Sequence, residues 1–254
     1  MSALVIAIPS KGRLKEKSEA WLAKCGYPCV QESGSRAYHA HIEGFPEISV
    51  LLLPAREIAQ GLIDGAFHLG ITGQDLLHEL AEQPGHEAME LYPLGFGEAD
   101  IVVAVPEAWL DVSTIFDLDA AGALFRQTHG KRLRVATKYM RTTRRFFSDA
   151  SVSEYRLVYS AGATEAAPAN QTADLIVDIT STGQTLAANN LKILQDGVIL
   201  KSQACLTGAL YADWSPRALA VWREMSEAIA RHHPSQGRAE KIYEIFLKKL
   251  NKSA

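Results

Sequence analysis

The sequence predicts an α/β fold, and two observations support that prediction. Short apolar segments rich in β-branched residues alternate with stretches of helical periodicity, as in a sheet whose strands are joined by helices. The apolar segments are continuous, which indicates strands covered on both faces. The predicted strands are 4–8, 50–53, 69–72, 101–105, 134–136 and 175–179, and the predicted helices are 14–24, 55–63, 74–81, 115–128 and 142–148.

Two glycine-containing segments predict where the chain passes between two lobes. They are residues 94–97 and the segment around Gly183, where glycine permits sharp backbone turns. We therefore expect a first lobe of residues 1–98 and 185–212 and a second lobe of residues 99–184. Residues 213–254 are expected to form a C-terminal helical extension, which either packs on its own lobe or contacts another subunit.

Composition and charge exclude several classes of function. The 254 residues carry a net charge of −3 with no block of basic residues, so we expect no binding to nucleic acid. The first apolar run, residues 3–8, is too short for a signal peptide or a membrane span, and we expect a cytoplasmic protein that binds no membrane. Three cysteines without paired spacing predict neither a disulfide framework nor a zinc site.

The segment DLIVDITSTGQTL, residues 174–186, is typical of a phosphate-binding loop. An apolar strand ends in Asp178 and continues through hydroxyl residues and one glycine into a helix. Backbone N–H groups at a helix start attract anions, and an acid before such a loop can accept hydrogen bonds from sugar hydroxyls. The alternative is a plain helix cap. The candidate phosphate-binding residues are Thr180, Ser181, Thr182, Gly183, Gln184 and Thr185.

Four cations follow three of the predicted strands, at the edge where open α/β sheets bind ligands. Lys11 and Arg13 follow the first strand, Arg56 follows the second, and Lys138 follows the strand that begins at Arg134. A single such cation is usually solvated, but four cations at three strand ends indicate contact with a polyphosphate. The chain contains neither a Walker loop, GxxxxGK[ST], nor a GxGxxG fingerprint after a strand.

Five segments resemble the ATP phosphoribosyltransferase family, in the family's order and across nearly all of the first 210 positions. They read IAIPSKGRL at 6–14, LGITGQDLL at 69–77, LGFGEADIVVAVP at 94–106, VATKYMRTTRRFF at 135–147 and GATEAAPANQTADLIVDITSTGQTL at 162–186. Two departures from the family pattern are Thr164, where an apolar residue is more usual, and Asn170-Gln171, where an apolar-Gly pair is more usual.

The resemblance implies a two-lobed fold like that of type II periplasmic binding proteins, with substrates in an interlobe cleft. The loop at 180–185 would grip the 5′-phosphate of phosphoribosyl pyrophosphate (PRPP), with Glu165 and Asp178 near its ribose. Arg56, Lys11 and Arg13 would be the catalytic cations. Residues expected to line the nucleotide and pyrophosphate part of the site are Gly12, Thr72, Gly73 and Lys138.

The implied reaction joins ATP to PRPP, giving N1-(5-phospho-β-D-ribosyl)-ATP and pyrophosphate at the start of histidine biosynthesis. Mg²⁺ is the expected cofactor, held by substrate phosphates with Asp178 as a candidate ligand. The resemblance also implies a short form without the family's regulatory domain, a homodimer, and a regulatory partner similar to histidyl-tRNA synthetase. Two alternatives stay open: a two-lobed solute-binding module without turnover, and a phosphoribosyltransferase acting on another base.

Overall fold

The computed structural model describes residues 3–31, 38–232 and 241–253 and confirms the α/β class. The chain forms two compact units, each built around its own sheet. The first comprises Met1–Gly97 and Gln203–Ala254, and the second is Glu98–Ser202. The predicted cleft between lobes concerns how these units are placed relative to each other and stays a prediction.

The first unit contains a seven-stranded sheet in which β1 pairs in parallel with both β4 and β5. The strand order is β2-β3-β4-β1-β5-β12-β6, with strands numbered along the chain. The strands are β1 (Leu4–Pro9), β2 (Cys29–Gln31), β3 (His39–Ile42), β4 (Phe45–Leu53), β5 (Leu69–Gly73), β6 (Ala88–Pro93) and β12 (Ala204–Ala209). The first three helices are α1 (Gly12–Lys24), α2 (Ala55–Ile63) and α3 (Gln74–Leu80).

Helix α2 packs so closely on β5 that glycine is required at one position. A Cβ atom added to Gly70 would lie 2.7 Å from Cγ2 of Ile58 and 3.1 Å from Cδ1 of Leu62, both on α2. Ile58 and Leu62 are fully buried. This close approach fixes α2 against β5, and both elements carry predicted site residues.

The second unit contains a five-stranded sheet of order β11-β7-β10-β8-β9, in which β8 runs parallel to β10 and β9. The strands are β7 (Ala99–Pro106), β8 (Leu133–Thr137), β9 (Tyr155–Tyr159), β10 (Leu175–Thr180) and β11 (Leu191–Ser202). The helices are α4 (Ile115–His129), α5 (Met140–Asp149), a 3₁₀ turn (Thr164–Ala166) and α6 (Gln184–Ala188). Helix α4 begins at a capping box of Thr114 and Asp117 and ends at Gly130, whose φ is +65°.

The structure corrects the predicted boundary at residue 185. Residues 185–202 belong to the second unit, because β11 pairs antiparallel with β7 and α6 packs against β11. Gly183 does adopt a positive φ, +73°, but it starts α6 within the second unit. The chain re-enters the first unit at Gln203, directly before β12.

Two C-terminal helices, α7 (Pro216–His232) and α8 (Ile242–Ser253), lie where a helical extension was predicted. Trp222 and Phe246 are fully buried in the core of the first unit, so the extension packs on that unit. Ile245, on α8, is 42% exposed. Residues 233–240 of the predicted extension lie outside the described residues. Among the described helices, none combines the length and apolar character needed to cross a membrane.

His68 connects the start of β5 to the segment before α7. The backbone N–H of Val5 donates to Nδ1 at 3.1 Å, and Nε2 lies 3.0 Å from the carbonyl oxygen of Asp213. Because an N–H can only donate and a carbonyl can only accept, the ring must be neutral with its proton on Nε2. The Trp214 ring meets it edge to face at 4.9 Å. Burial lowers the pKa of His68 from its ordinary value.

This geometry predicts a loss of stability at mildly acidic pH. The pKa of His68 is lower in the folded than in the unfolded chain, so its contribution is present above the unfolded pKa, about 6.5, and is lost as the pH falls. Urea unfolding of the wild type should therefore show a decline in stability between about pH 7 and pH 5.5. His68→Asn should flatten that decline, whereas His39→Gln, at an exposed position, should leave it unchanged. Equal slopes in all three proteins would contradict the assignment.

Candidate functional site

The first unit places its predicted site residues at one edge of its sheet. Because β1, β4 and β5 are parallel, their carboxyl ends meet there, and the N–H of Ser10 donates to the carbonyl of Leu53 at 3.0 Å. We call this group the cationic edge. Its cations are all exposed to solvent. The group consists of Lys11, Gly12, Arg13, Arg56, Thr72 and Gly73.

Two members of the cationic edge have structural roles. Thr72 is fully buried, and its hydroxyl donates to the carbonyl of Ala55 at 2.9 Å. This bond holds the first turn of α2, which carries Arg56. At Gly73, an added Cβ would overlap the carboxylate of Asp75. Contact between these two residues and a nucleotide stays a prediction, but their observed contacts shape the edge.

The second unit brings Lys138 and Asp178 together at the carboxyl ends of the parallel strands β8 and β10. Lys138 Nζ lies 3.8 Å from Asp178 Oδ1, which also accepts the backbone N–H of Ile179 at 2.8 Å. The Asp178 side chain is 15% exposed. Lys138 Nζ also lies 5.2 Å from the ring centroid of Tyr139, within the range of a cation–π interaction. Sequence reasoning did not include Tyr139, although it directly follows the lysine.

Burial is the largest influence on Asp178, and it raises the pKa of this carboxyl. The N–H of Ile179 and the cation of Lys138 oppose that effect, and the carboxylate of Glu165 adds to it. Glu165 therefore interacts electrostatically with Asp178, although 13 positions separate them in sequence. The structure thus brings both predicted ribose-binding acids together in one unit.

The predicted phosphate loop is held in shape by its own hydroxyl groups. The oxygen of Thr180 accepts the N–H of Gly183 at 2.9 Å, and that of Thr182 lies 3.4 Å from the N–H of Gln184. Both hydroxyls can still donate their protons. Ser181 instead donates to the carbonyl of Glu98 at 3.1 Å, so this hydroxyl anchors the loop to the start of β7. Sequence reasoning missed Glu98, which acts through its backbone.

Helix α6, which follows the loop, has only five residues. A single turn sums few peptide dipoles, so the start of α6 attracts an anion less than the sequence predicts. Any attraction for an anion at this loop must therefore come mainly from the local N–H groups and from the hydroxyls. Thr182, Gln184 and Thr185 are exposed and can meet a ligand.

The two departures from the family pattern are accommodated locally. Thr164 is 2% exposed, and its hydroxyl donates to the Ser160 oxygen at 3.0 Å, so the polar group is buried with a partner. Gln171 adopts a φ of +56°, a conformation that favours glycine, and its carbonyl accepts from Nη1 of Arg134 at 2.9 Å.

The residues present fit a magnesium ion that is held chiefly by substrate. Mg²⁺ usually keeps several waters and binds one or two carboxylates together with substrate phosphates. Asp178 and Glu165 provide two neighbouring carboxylates. Within the described ranges, no group of three or more His, Cys, Asp or Glu side chains forms a protein-only metal cage.

Together, these features define a class: an α/β protein with two sheets, a cationic strand edge, and a hydroxyl-rich loop beside two carboxylates. The fold is similar to that of an ancestral arginine-binding protein, with a TM-score of 0.51 at 12% identity over 96% of this chain and 97% of the other. It is also similar to the ATP phosphoribosyltransferase HisG:HisZ complex from Thermotoga maritima, with a TM-score of 0.64 at 24% identity over 95% and 98%. These likenesses confirm the predicted fold resemblance to periplasmic binding proteins.

Sequence comparison identifies the family. The HisG model, described as ATP phosphoribosyltransferase, matches residues 54–227. ATP phosphoribosyltransferases of Caulobacter vibrioides and Bradyrhizobium diazoefficiens are 51% and 48% identical to this chain over 94% and 96% of its length. The chain spans 73% and 74% of those relatives. It belongs to the ATP phosphoribosyltransferase family, which confirms the prediction of a transferase of histidine biosynthesis.

The position of Asp178 predicts opposite effects from its two charged neighbours. Lys138→Met removes the nearby cation and should raise the pKa of Asp178 further, whereas Glu165→Gln removes a like charge and should lower it. Carbon-13 NMR titration of aspartate-labelled protein measures both shifts, with the signal assigned through Asp178→Asn. Shifts in the same direction, or none, would show that these charges do not share a site.

Proposed function

We propose that the chain transfers the phosphoribosyl group of PRPP to N1 of the adenine ring of ATP. A bond forms between N1 and C1′, the bond from C1′ to the pyrophosphate oxygen breaks, and pyrophosphate departs with inversion at C1′. The observation that carries the proposal is the braced loop directly after Asp178, in a chain of this family. No protein base is required, because adenine N1 already has a lone pair.

The second unit is proposed to bind PRPP. The loop residues 180–185 surround the 5′-phosphate, with the hydroxyls of Thr180 and Thr182 as donors and Gly183 allowing close approach of the backbone. Asp178 and Glu165 accept hydrogen bonds from the ribose hydroxyls. Because Asp178 is largely withdrawn from water, its negative charge also stabilises the positive charge that develops on the ribose ring as the pyrophosphate bond breaks.

The first unit is proposed to bind the departing pyrophosphate and the triphosphate of ATP through Lys11, Arg13 and Arg56. Arg56 is the candidate for the leaving group, because a guanidinium fork matches phosphate oxygens and stays charged. The Thr72 bond to Ala55 positions the turn that carries Arg56. Lys138 contributes a further cation beside the ribose. Magnesium, held by substrate oxygens and by Asp178 and Glu165, would neutralise charge on the pyrophosphate.

We also propose a cytoplasmic homodimer that works with a regulatory subunit similar to histidyl-tRNA synthetase. Support for a partner comes from the Thermotoga maritima relative in fold, whose structure is a HisG:HisZ complex. Helices α7 and α8 pack on the core of the first unit. Light scattering of the chain alone and with a candidate partner measures both assemblies.

The proposed reaction is tested by following the absorbance of N1-ribosylated adenine in a mixture of ATP, PRPP and Mg²⁺, with pyrophosphatase to remove product. Turnover that requires both substrates supports the proposal. Arg56→Ala should lower kcat by about 10² or more, by comparison with removal of one preorganised donor to developing charge. Turnover with another base in place of ATP would favour the alternative transferase.

Arg217→Ala is the matched control for Arg56. Both arginines are exposed, both lie in the first unit, and each is the second residue of its helix. Activity should therefore persist in Arg217→Ala at the wild-type level. An Arg56→Ala protein with unchanged kcat would refute the leaving-group role. PRPP binding without turnover of the wild-type chain would indicate that the regulatory subunit is needed for activity.

Gly183→Val should weaken PRPP binding by about tenfold, because a β-branched residue at φ +73° destabilises the loop by about 1–2 kcal/mol. Thr182→Ala should weaken it by removing a hydroxyl donor. Isothermal titration with PRPP measures both. The control is Gly44→Val, since Gly44 has a φ of +81° and, like Gly183, has no atom within 4 Å of an added Cβ. Wild-type affinity in both loop variants would overturn the loop assignment.

A further inference from the structure

A second site rich in cations lies at the opposite edge of the sheet in the second unit. It is a cavity of about 860 Å³ next to the start of β8. Strand β8 has five residues, so the cavity lies roughly 15 Å from Lys138, which follows the other end of that strand. We call this cavity the basic pocket. The lining residues used below are Phe125, His129, Lys131, Arg132, Arg134 and Arg156.

Arg134 forms the rigid centre of the basic pocket. Nε and Nη2 of Arg134 donate to the two carboxylate oxygens of Asp174 at 3.2 and 2.9 Å, and Nη1 donates to the carbonyl of Gln171. The backbone N–H of Arg134 also donates to Asp174 at 2.7 Å. This guanidinium is therefore fixed in position and already paired with one carboxylate. It positions the pocket wall, and the charge of a ligand would be met by the neighbouring cations.

The neighbours of Arg134 carry positive charge that the fold does not neutralise. Arg156 stands directly beside Arg134 in the register of β8 and β9, and like charges on adjacent strands are destabilising. Arg132 shares one carboxylate, that of Glu154, with Arg126. Among the described residues, no carboxylate lies within ion-pair distance of Lys131 or Arg156.

The charge balance of the basic pocket is therefore positive within an acidic protein. The pocket has four cations and only two nearby carboxylates, those of Asp174 and Glu154, and Glu154 also pairs with Arg126. The cations are Lys131, Arg132, Arg134 and Arg156. The complete chain has a net charge of −3. Solvent screens only part of the repulsion between Arg134 and Arg156 on their adjacent strands. An anion bound here would reduce that repulsion further.

One wall of the basic pocket is aromatic. The rings of Phe125 and His129, one turn apart on α4, lie with their centroids 4.5 Å apart. Their arrangement offers a surface for a planar ring, while guanidinium forks of Arg132 and Arg156 suit phosphate oxygens. The cavity volume lies within the range of small-molecule sites.

We propose that the basic pocket binds a nucleotide at a position separate from the reaction site. Its phosphates bind Lys131, Arg132 and Arg156, and its base stacks on Phe125 and His129. The opposed charges of Arg134 and Asp174 hold the pocket in shape. Inorganic polyphosphate shares the phosphate chemistry but lacks the ring, and the two ligands are separated by experiment.

The test is isothermal titration of the 254-residue chain with ADP, without magnesium, in the wild type, Arg156→Glu and Arg217→Glu. The wild type and Arg217→Glu should each bind two ADP molecules per chain, one of them at the reaction site. Arg156→Glu should weaken one binding event by about tenfold to a hundredfold, since it removes a hydrogen bond to a charged group. It should also raise the thermal midpoint of the ligand-free protein, because the repulsion with Arg134 disappears.

His129→Ala separates the nucleotide from inorganic polyphosphate. This exposed residue can be replaced without disturbing the core, and the variant should lose ADP affinity at the pocket while it retains binding of tripolyphosphate. Equal loss of both ligands, or of neither, would overturn the stacking part of the proposal. Three results would overturn the nucleotide site itself. They are a single ADP site in the wild type, unchanged ADP binding in Arg156→Glu, and an Arg156→Glu protein that changes only in oligomeric state.

Discussion

Parallel pairing between buried strands decides where the functional side chains of each unit stand. In the first unit β1 pairs with β4 and β5, and in the second β8 pairs with β10. Because residues that follow parallel strands emerge at the same edge, Lys11 and Arg56 lie at one edge without being near each other in sequence. The same constraint brings Lys138 to Asp178. The apolar strand residues therefore serve function by fixing the edge from which polar residues project.

Asp178 shows how that constraint creates useful electrostatics. The end of β10, with antiparallel β7 on one side and parallel β8 on the other, withdraws the carboxylate from water, which raises its pKa. The Ile179 N–H and Lys138 support the charged form, while Glu165 opposes it. The carboxylate is thus held by fixed protein groups in a site of low solvent content, where charge developing on a substrate is felt strongly.

The sequence predicts those parts of the fold whose signal is local. Helix α2 was predicted to the residue, and the buried cores of β1, β5 and β10 were found because their apolar runs are continuous. Strand β11 was missed because it is mixed in polarity and carries register shifts between Ile193 and Leu200. Its pairing with β7 is a long-range contact, and no local pattern shows that pairing. The predicted return to the first lobe at 185 was wrong for this reason.

Some residues of the candidate site hold its backbone in place, and others are free to contact a ligand. Sequence patterns do not separate these two groups. Thr72 and Ser181 stand in motifs with hydroxyls that suggest ligand contact, yet each donates its proton to a backbone carbonyl. Thr180 and Thr182 accept backbone N–H groups, so their hydroxyl protons stay available for a further acceptor. A hydroxyl can donate or accept, and the surrounding fold decides which it does. A motif therefore predicts which residues lie close together, but only the geometry shows whether each one holds the backbone or is available to a ligand.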